Sequence, residues 1–335
     1  AILRESGIEL ASAQFEDADA GVLVAIAQDT SFSVPLRIDA AMQAIAMGVL
    51  EAPVLAGLFG NVDFEIADIS AAVDTAAARP GDPLTDALLY QSIAAMNAPE
   101  FIRDKAQRIS LALSLADSFP RAYGLSLLYK QEIDALEGVL VSPEEAGRFA
   151  MASMAAGDSV GAGRWLSAMI GVNGNVTALP EALGVTFIDQ VNLLALLDPQ
   201  TAARIARNAG VSILSRDVMT ASSTAHADPA MTARILEAAF DAVSGEKLGQ
   251  AGLAALAATT GDHPGGQIEA VVVSEALRAA GMPELRRRYA FERAWAATFS
   301  KGPAVSAETG DAAGGQDAAA AESDGFAPRV KPPKP

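Results

Sequence analysis

The chain has no cysteine, only two histidines, and aromatic residues at just 5% of its 335 positions. The first absence removes disulfides, thiolate metal sites and thiol catalysis together, and it leaves cytoplasm and periplasm equally open. With so few aromatics, the core must be built from Ala, Leu, Ile, Val and Met. Such small side chains let helix axes approach closely and suit thin stacked layers. Long apolar runs are also lacking. The longest, 44–60, is broken by Glu51 and Pro53 and falls short of the roughly 20 residues that a membrane span needs. Positive charge is in deficit: 24 Lys and Arg stand against 41 Asp and Glu, a net charge of −17. That field repels phosphate backbones, so nucleic acid is not an expected partner.

What is present is alanine-rich helical periodicity. Asp82-Pro83, Asp198-Pro199 and Asp228-Pro229 each place a side-chain oxygen at a helix N-cap and a preset φ at the first helical residue. Ser142-Pro143-Glu144-Glu145 reads as a capping box. Apolar spacing of three and four predicts helices over 17–28, 36–49, 83–96, 99–117, 120–137, 143–156, 159–170, 186–196, 199–209, 229–243, 247–259, 266–280 and 284–299. Polar breaks between them are short, so neighbours should pack as antiparallel hairpins. Residues 30–38 are the one segment expected to be extended. The fold class that follows is all-α: an irregular α-solenoid or layered array of helical hairpins with a disordered C-terminal tail. Its parts are an N-terminal helical region over 1–80, a hairpin array over 81–300, and a tail over 301–335 whose acidic stretch ends in a basic, proline-rich tip. The chain begins at Ala1 rather than Met, which points to a removed leader or an upstream region.

Two hairpins look alike. In one, Phe149-Ala150 sits mid-helix, Gly157-Asp158 forms the turn and Ala162 follows five residues after the glycine; in the other the same places hold Leu253-Ala254, Gly261-Asp262 and Gly266. This arrangement resembles the tetratricopeptide-like pattern, in which a small residue marks where the second helix crosses the first. The match covers about a fifth of the chain. The family's aromatic in the second helix is displaced to Trp165 in the first hairpin and absent from the second. The resemblance implies a scaffold geometry and assigns no catalytic residue.

Candidate chemistry is sparse. His226 lies near Asp228, and His263 sits in Asp262-His263-Pro264, but neither has zinc-ligand spacing and each acidic neighbour is better explained as a helix cap. Glu5-Ser6 is similar to the Glu-Ser pair of lytic transglycosylases, yet no Gly-Leu-Met-Gln stretch follows. Ser244 and Lys247 match the spacing of Ser-Lys acyl enzymes without the companion motifs. Asn173 to Asn175 and Asp63 to Glu65 offer oxygen ligands but form no calcium loop, and read as turns and caps. No catalytic, cofactor or metal-binding residue is therefore assigned. The strongest binding signal is a cluster of Arg278, Arg286, Arg287, Arg288 and Arg293 on the last two helices of an otherwise acidic chain, a candidate patch for an acidic protein partner. Trp165 has core spacing. The expected function is a non-catalytic helical scaffold or adaptor that holds another protein. The alternative is an enzyme or enzyme subunit acting on glycan or cell-wall material through a single carboxylate in an apolar pocket.

Overall fold

A computed structural model describes residues 18–171, 174–211, 267–299 and 329–330. Among these are fourteen α-helices: α1 Ala20–Gln28, α2 Val34–Ala46, α3 Ala52–Gly60, α4 Ile66–Ser70, α5 Ala72–Ala78, α6 Pro83–Ala94, α7 Ile102–Ser114, α8 Phe119–Ala135, α9 Pro143–Ala155, α10 Ser159–Ile170, α11 Glu181–Leu197, α12 Pro199–Ala209, α13 Gln267–Ala279 and α14 Pro283–Phe299. The protein is all-α. The described extended residues are β1, Val62–Asp63, and β2, Arg329–Val330, paired antiparallel with Val62 opposite Val330. No described helix is long and apolar enough to cross a membrane.

Helices α6, α9, α10 and α12 start where a side-chain oxygen is available to their first N–H groups. Asp82 accepts from Leu84 N at 2.9 Å, and Asp198 accepts from Gln200 N and Thr201 N at 3.1 and 3.0 Å. At α9 the capping box closes both ways, with Glu145 N donating to Ser142 Oγ at 3.2 Å and Ser142 N donating to Glu145 Oε2 at 2.6 Å. The cap proposed at Asp228 lies outside the described residues, as do the helices expected over 229–243 and 247–259. One expectation is corrected. Within 30–38 the chain is already helical from Val34, because Pro35 presets the first turn and Val34 and Ile38 bury one helical face. Three further helices, α3, α4 and α5, lie between the helices expected over 36–49 and 83–96.

One continuous core runs from Leu23 in α1 to Ala209 in α12 and takes in Ala270, Ala290 and Phe291 from α13 and α14. Consecutive helices pack on one another, most extensively α9 on α10, where Phe149, Ala150 and Ala162 are fully buried and Trp165 meets Phe149 edge-on at 5.1 Å. The array becomes irregular where α14 returns across it. This helix touches α8, α9 and α11 as well as its hairpin partner α13. Of the proposed tail, Arg329 and Val330 lie among the described residues, on the edge of β1; the remainder lies outside them.

Candidate functional site

The three consecutive arginines of α14 reach the C-terminal ends of three different helices. Arg288 donates to the carbonyl of Ala46, the last residue of α2, at 2.8 Å. Arg287 donates to Ala156, immediately after α9, at 3.2 Å. Arg286 donates to Leu196 near the end of α11, and its Nε to Ser274 Oγ at 2.9 Å, while Ser274 Oγ itself donates to Leu196 O at 3.0 Å. The last carbonyls of a helix have no partner within it and carry the negative end of its dipole, so a cation there is favourable twice over.

The ends of α2 and α9 are built alike. Gly48 and Gly157 adopt φ of +74° and +76°, and each follows a Schellman pair: Val49 N to Ala44 O with Gly48 N to Ile45 O, and Asp158 N to Ser153 O with Gly157 N to Met154 O. Each arginine takes a carbonyl that the pair leaves over. At Gly157 a side chain would also collide with the Cδ and Nη1 of Arg287. Of the remaining arginines expected in the partner patch, Arg278 is exposed and pairs with Glu275 at 2.8 Å, and Arg293 lies partly buried on α14. All five thus have partners inside the chain, and the three consecutive ones reach main-chain carbonyls of other helices.

By clasping these helix ends, α14 becomes the wall of a cavity of about 230 Å³. Residues Leu113 of α7, Met151 of α9, Met169 of α10, Leu183 of α11, and Phe291 and Trp295 of α14 supply most of its apolar lining. Phe291 is held in place by Tyr123, edge-on at 5.4 Å, and by Phe119 at 6.2 Å. The polar groups on the wall are few. On α9, Glu144, Gly147, Arg148 and Met151 follow helical spacing and line the same face. Glu144 is exposed and marks the side open to solvent. Gly147 has no side chain, so α11 comes close enough for Gln190 Nε2 to donate to its carbonyl at 3.2 Å.

That bond orients the Gln190 amide and leaves its Oε1 buried with no donor, in a residue only 3% exposed. A buried acceptor without a donor costs about 1–3 kcal/mol unless something fills the position. Arg148, half-buried and next to Gly147 in sequence, hydrogen-bonds to the neutral Ser110 Oγ at 2.8 Å, and no carboxylate among the described residues pairs with it within 4 Å. Burial pulls its pKa below an arginine's ordinary value, opposed by the charges of Glu144 and Glu145. Glu145 has turned instead to Arg103 at 2.7 Å. The arrangement can receive an apolar group and a negative charge on Arg148.

The other residues singled out in the sequence lie elsewhere. Asn175 accepts from Thr177 N at 3.0 Å and Glu65 N donates to Asp68 Oδ2 at 3.1 Å, both cap contacts; Asp63 is in β1. Glu5, Asn173, His226, Ser244, Lys247 and His263 fall outside the described residues. Among the described residues no group of three or more histidine or acidic side chains is placed to hold a metal ion. Arg148 and Gln190 carried no motif in the sequence. The available signal was the run of small and polar residues at helical spacing on α9, which becomes meaningful only once α11 and α14 are known to face it.

Comparison with protein-family models, with curated proteins and with solved structures finds no significant match for the chain.

Proposed function

We propose that the protein is a non-catalytic helical scaffold that holds another protein by taking one of its apolar side chains into the cavity between α9, α11 and α14. The observation that carries this reading is the combination of an apolar lining with an arginine whose described partner is a neutral hydroxyl. Deep, desolvated pockets of this kind hold the anchor residues that dominate protein–protein affinity. The α9–α10 hairpin supports the same reading: its buried Phe149-Ala150 step, Gly157-Asp158 turn and buried Ala162 retain the features of tetratricopeptide-like scaffolds.

Glycan chemistry by a single carboxylate calls for a carboxyl group of raised pKa facing a cavity. Among the described residues the carboxyl whose pKa burial raises, Asp86, is 0% exposed and sealed against Arg121, away from the cavity wall. The carboxylate that does line the cavity, Glu144, is exposed. These positions favour binding over catalysis.

The test is a photoreactive residue at Thr186, on the cavity wall, with Val160, 59% exposed on α10, as the control position. Irradiation in the native cell should give one discrete protein adduct from position 186 that is lost when Met151→Trp fills the cavity. Adducts of equal yield from both positions, or none from 186, would count against the scaffold.

A further inference from the structure

We propose that the cavity recognises the C-terminal residue of a polypeptide, with its carboxylate on Arg148 and its large apolar side chain among Met151, Leu183 and Trp295. This rests on the scaffold reading and names its ligand.

Two observations carry it. Arg148, on the cavity wall, presents a guanidinium fork on which one hydrogen bond among the described residues, to Ser110 Oγ, is formed, so spare N–H donors are available for a carboxylate, the anion whose two oxygens match the fork. A chain end offers that carboxylate and an apolar side chain on a single Cα.

The second observation is size. At about 230 Å³ the cavity falls below the 300–1,000 Å³ usual for whole small-molecule ligands, while an apolar cavity of about 150 Å³ already accepts benzene. It therefore suits one residue of Leu, Met or Phe type, with the rest of the ligand outside. The open side carries the exposed Glu144, and the chain as a whole has a charge of −17. Residues that precede the chain end must pass this field, so basic residues are favoured there and acidic ones disfavoured. The predicted ligand is a basic peptide segment ending in a large apolar residue with a free carboxylate.

The experiment measures binding of the fluorescein-labelled peptide Lys-Ser-Lys-Ser-Leu to the full chain by anisotropy. The peptide is used as the free acid and as the C-terminal amide, alongside a free-acid peptide with Glu in place of both Lys. The free acid should bind about tenfold or more tightly than the amide, the preference expected when a charge-assisted hydrogen bond is lost. Arg148→Gln should abolish that preference, and Glu144→Gln should narrow the gap between the basic and acidic peptides. The acid–amide comparison on the unaltered protein needs no variant to fold. Equal binding of acid and amide would overturn the chain-end inference, with the scaffold reading intact if the adduct at position 186 persists. Octanoate competing as strongly as the peptide acid would overturn both, because the cavity would then be a site for a small apolar acid.

Discussion

Two arginines in neighbouring layers of this fold meet burial in opposite ways. Arg121, on α8, is 5% exposed. Its Nε lies 2.7 Å from Asp86 Oδ2, its two terminal nitrogens reach the Asp82 carbonyl at 3.4 Å and Asp117 Oδ1 at 3.5 Å, and Asp86 itself is fully buried. Arg148, on α9, is half-buried and has a serine hydroxyl as its hydrogen-bond partner. The first is a closed charge system that ties the start of α6 to α8. The second faces a cavity with donors to spare. A buried cation surrounded by its counter-charges serves the fold, whereas one beside an empty apolar space is placed to serve a ligand.

Breaking the closed system should produce the largest effect. Arg121→Met strands the Asp86 carboxylate in the core, and removing one partner of a buried pair typically costs 3–5 kcal/mol. Urea denaturation should show that loss. Asp86→Asn combined with Arg121→Met should recover part of it, because no uncompensated charge is then buried. If Arg121→Met costs less than 1 kcal/mol, the two arginines do not differ in the way their surroundings indicate.

The same pair should also be visible in the pH dependence of stability. Burial, opposed by the charge and hydrogen bond of Arg121, raises the Asp86 pKa to about 6. The folded state therefore holds a proton that the unfolded chain has already released. Stability from this group is fully present below about pH 4, near the unfolded pKa, and is lost as pH rises through about 6. Relative to Asp86→Asn, the unaltered protein should lose up to about 3 kcal/mol between pH 4 and pH 7. A flat difference across that range would show that Asp86 stays ionised throughout.

Much of the helical fold was legible before any of these contacts were known. The helix starts at Pro83, Pro143 and Pro199 follow from local cap chemistry, and the cap's own acceptor lies within three residues of the N–H it satisfies. The helix α3 was less legible. Its sequence Ala52-Pro-Val-Leu-Ala-Gly-Leu-Phe-Gly60 is apolar throughout, because it packs against α2, α6 and α8 and has no polar face to set a period. The site was the least legible. Arg286, Arg287 and Arg288 stood out as charge, but their acceptors are main-chain carbonyls 90, 131 and 242 residues away. Carbonyls have no signature in a sequence. Arg148 and Gln190 are an ordinary arginine and glutamine until α9 and α11 are brought together at Gly147.

The α14 contacts lie between the two extremes. Arg287→Gln removes one charged hydrogen bond to Ala156 O and should cost about 1–2 kcal/mol. Gly157→Ala strains a residue at φ +76° and pushes into the same arginine, so it should cost a similar amount. A double-mutant cycle joins the two. The combined variant should be less destabilised than the sum, because the part of the clash made by Nη1 vanishes with the guanidinium. Strict additivity would mean that Arg287 does not pass over Gly157 in solution.

The smallest stability effect belongs to the residue given the largest role in binding. Arg148→Gln gives up one hydrogen bond to Ser110 Oγ and relieves a partly desolvated charge, two contributions of opposite sign, so thermal or urea unfolding should shift by less than about 1 kcal/mol. Selection for folding alone would then have little reason to keep an arginine on this wall. If the variant unfolds as readily as Arg121→Met, Arg148 is a second structural clamp and the cavity beside it loses its claim to a ligand. If stability holds while the acid–amide preference disappears, fold and recognition are carried by separate arginines one layer apart.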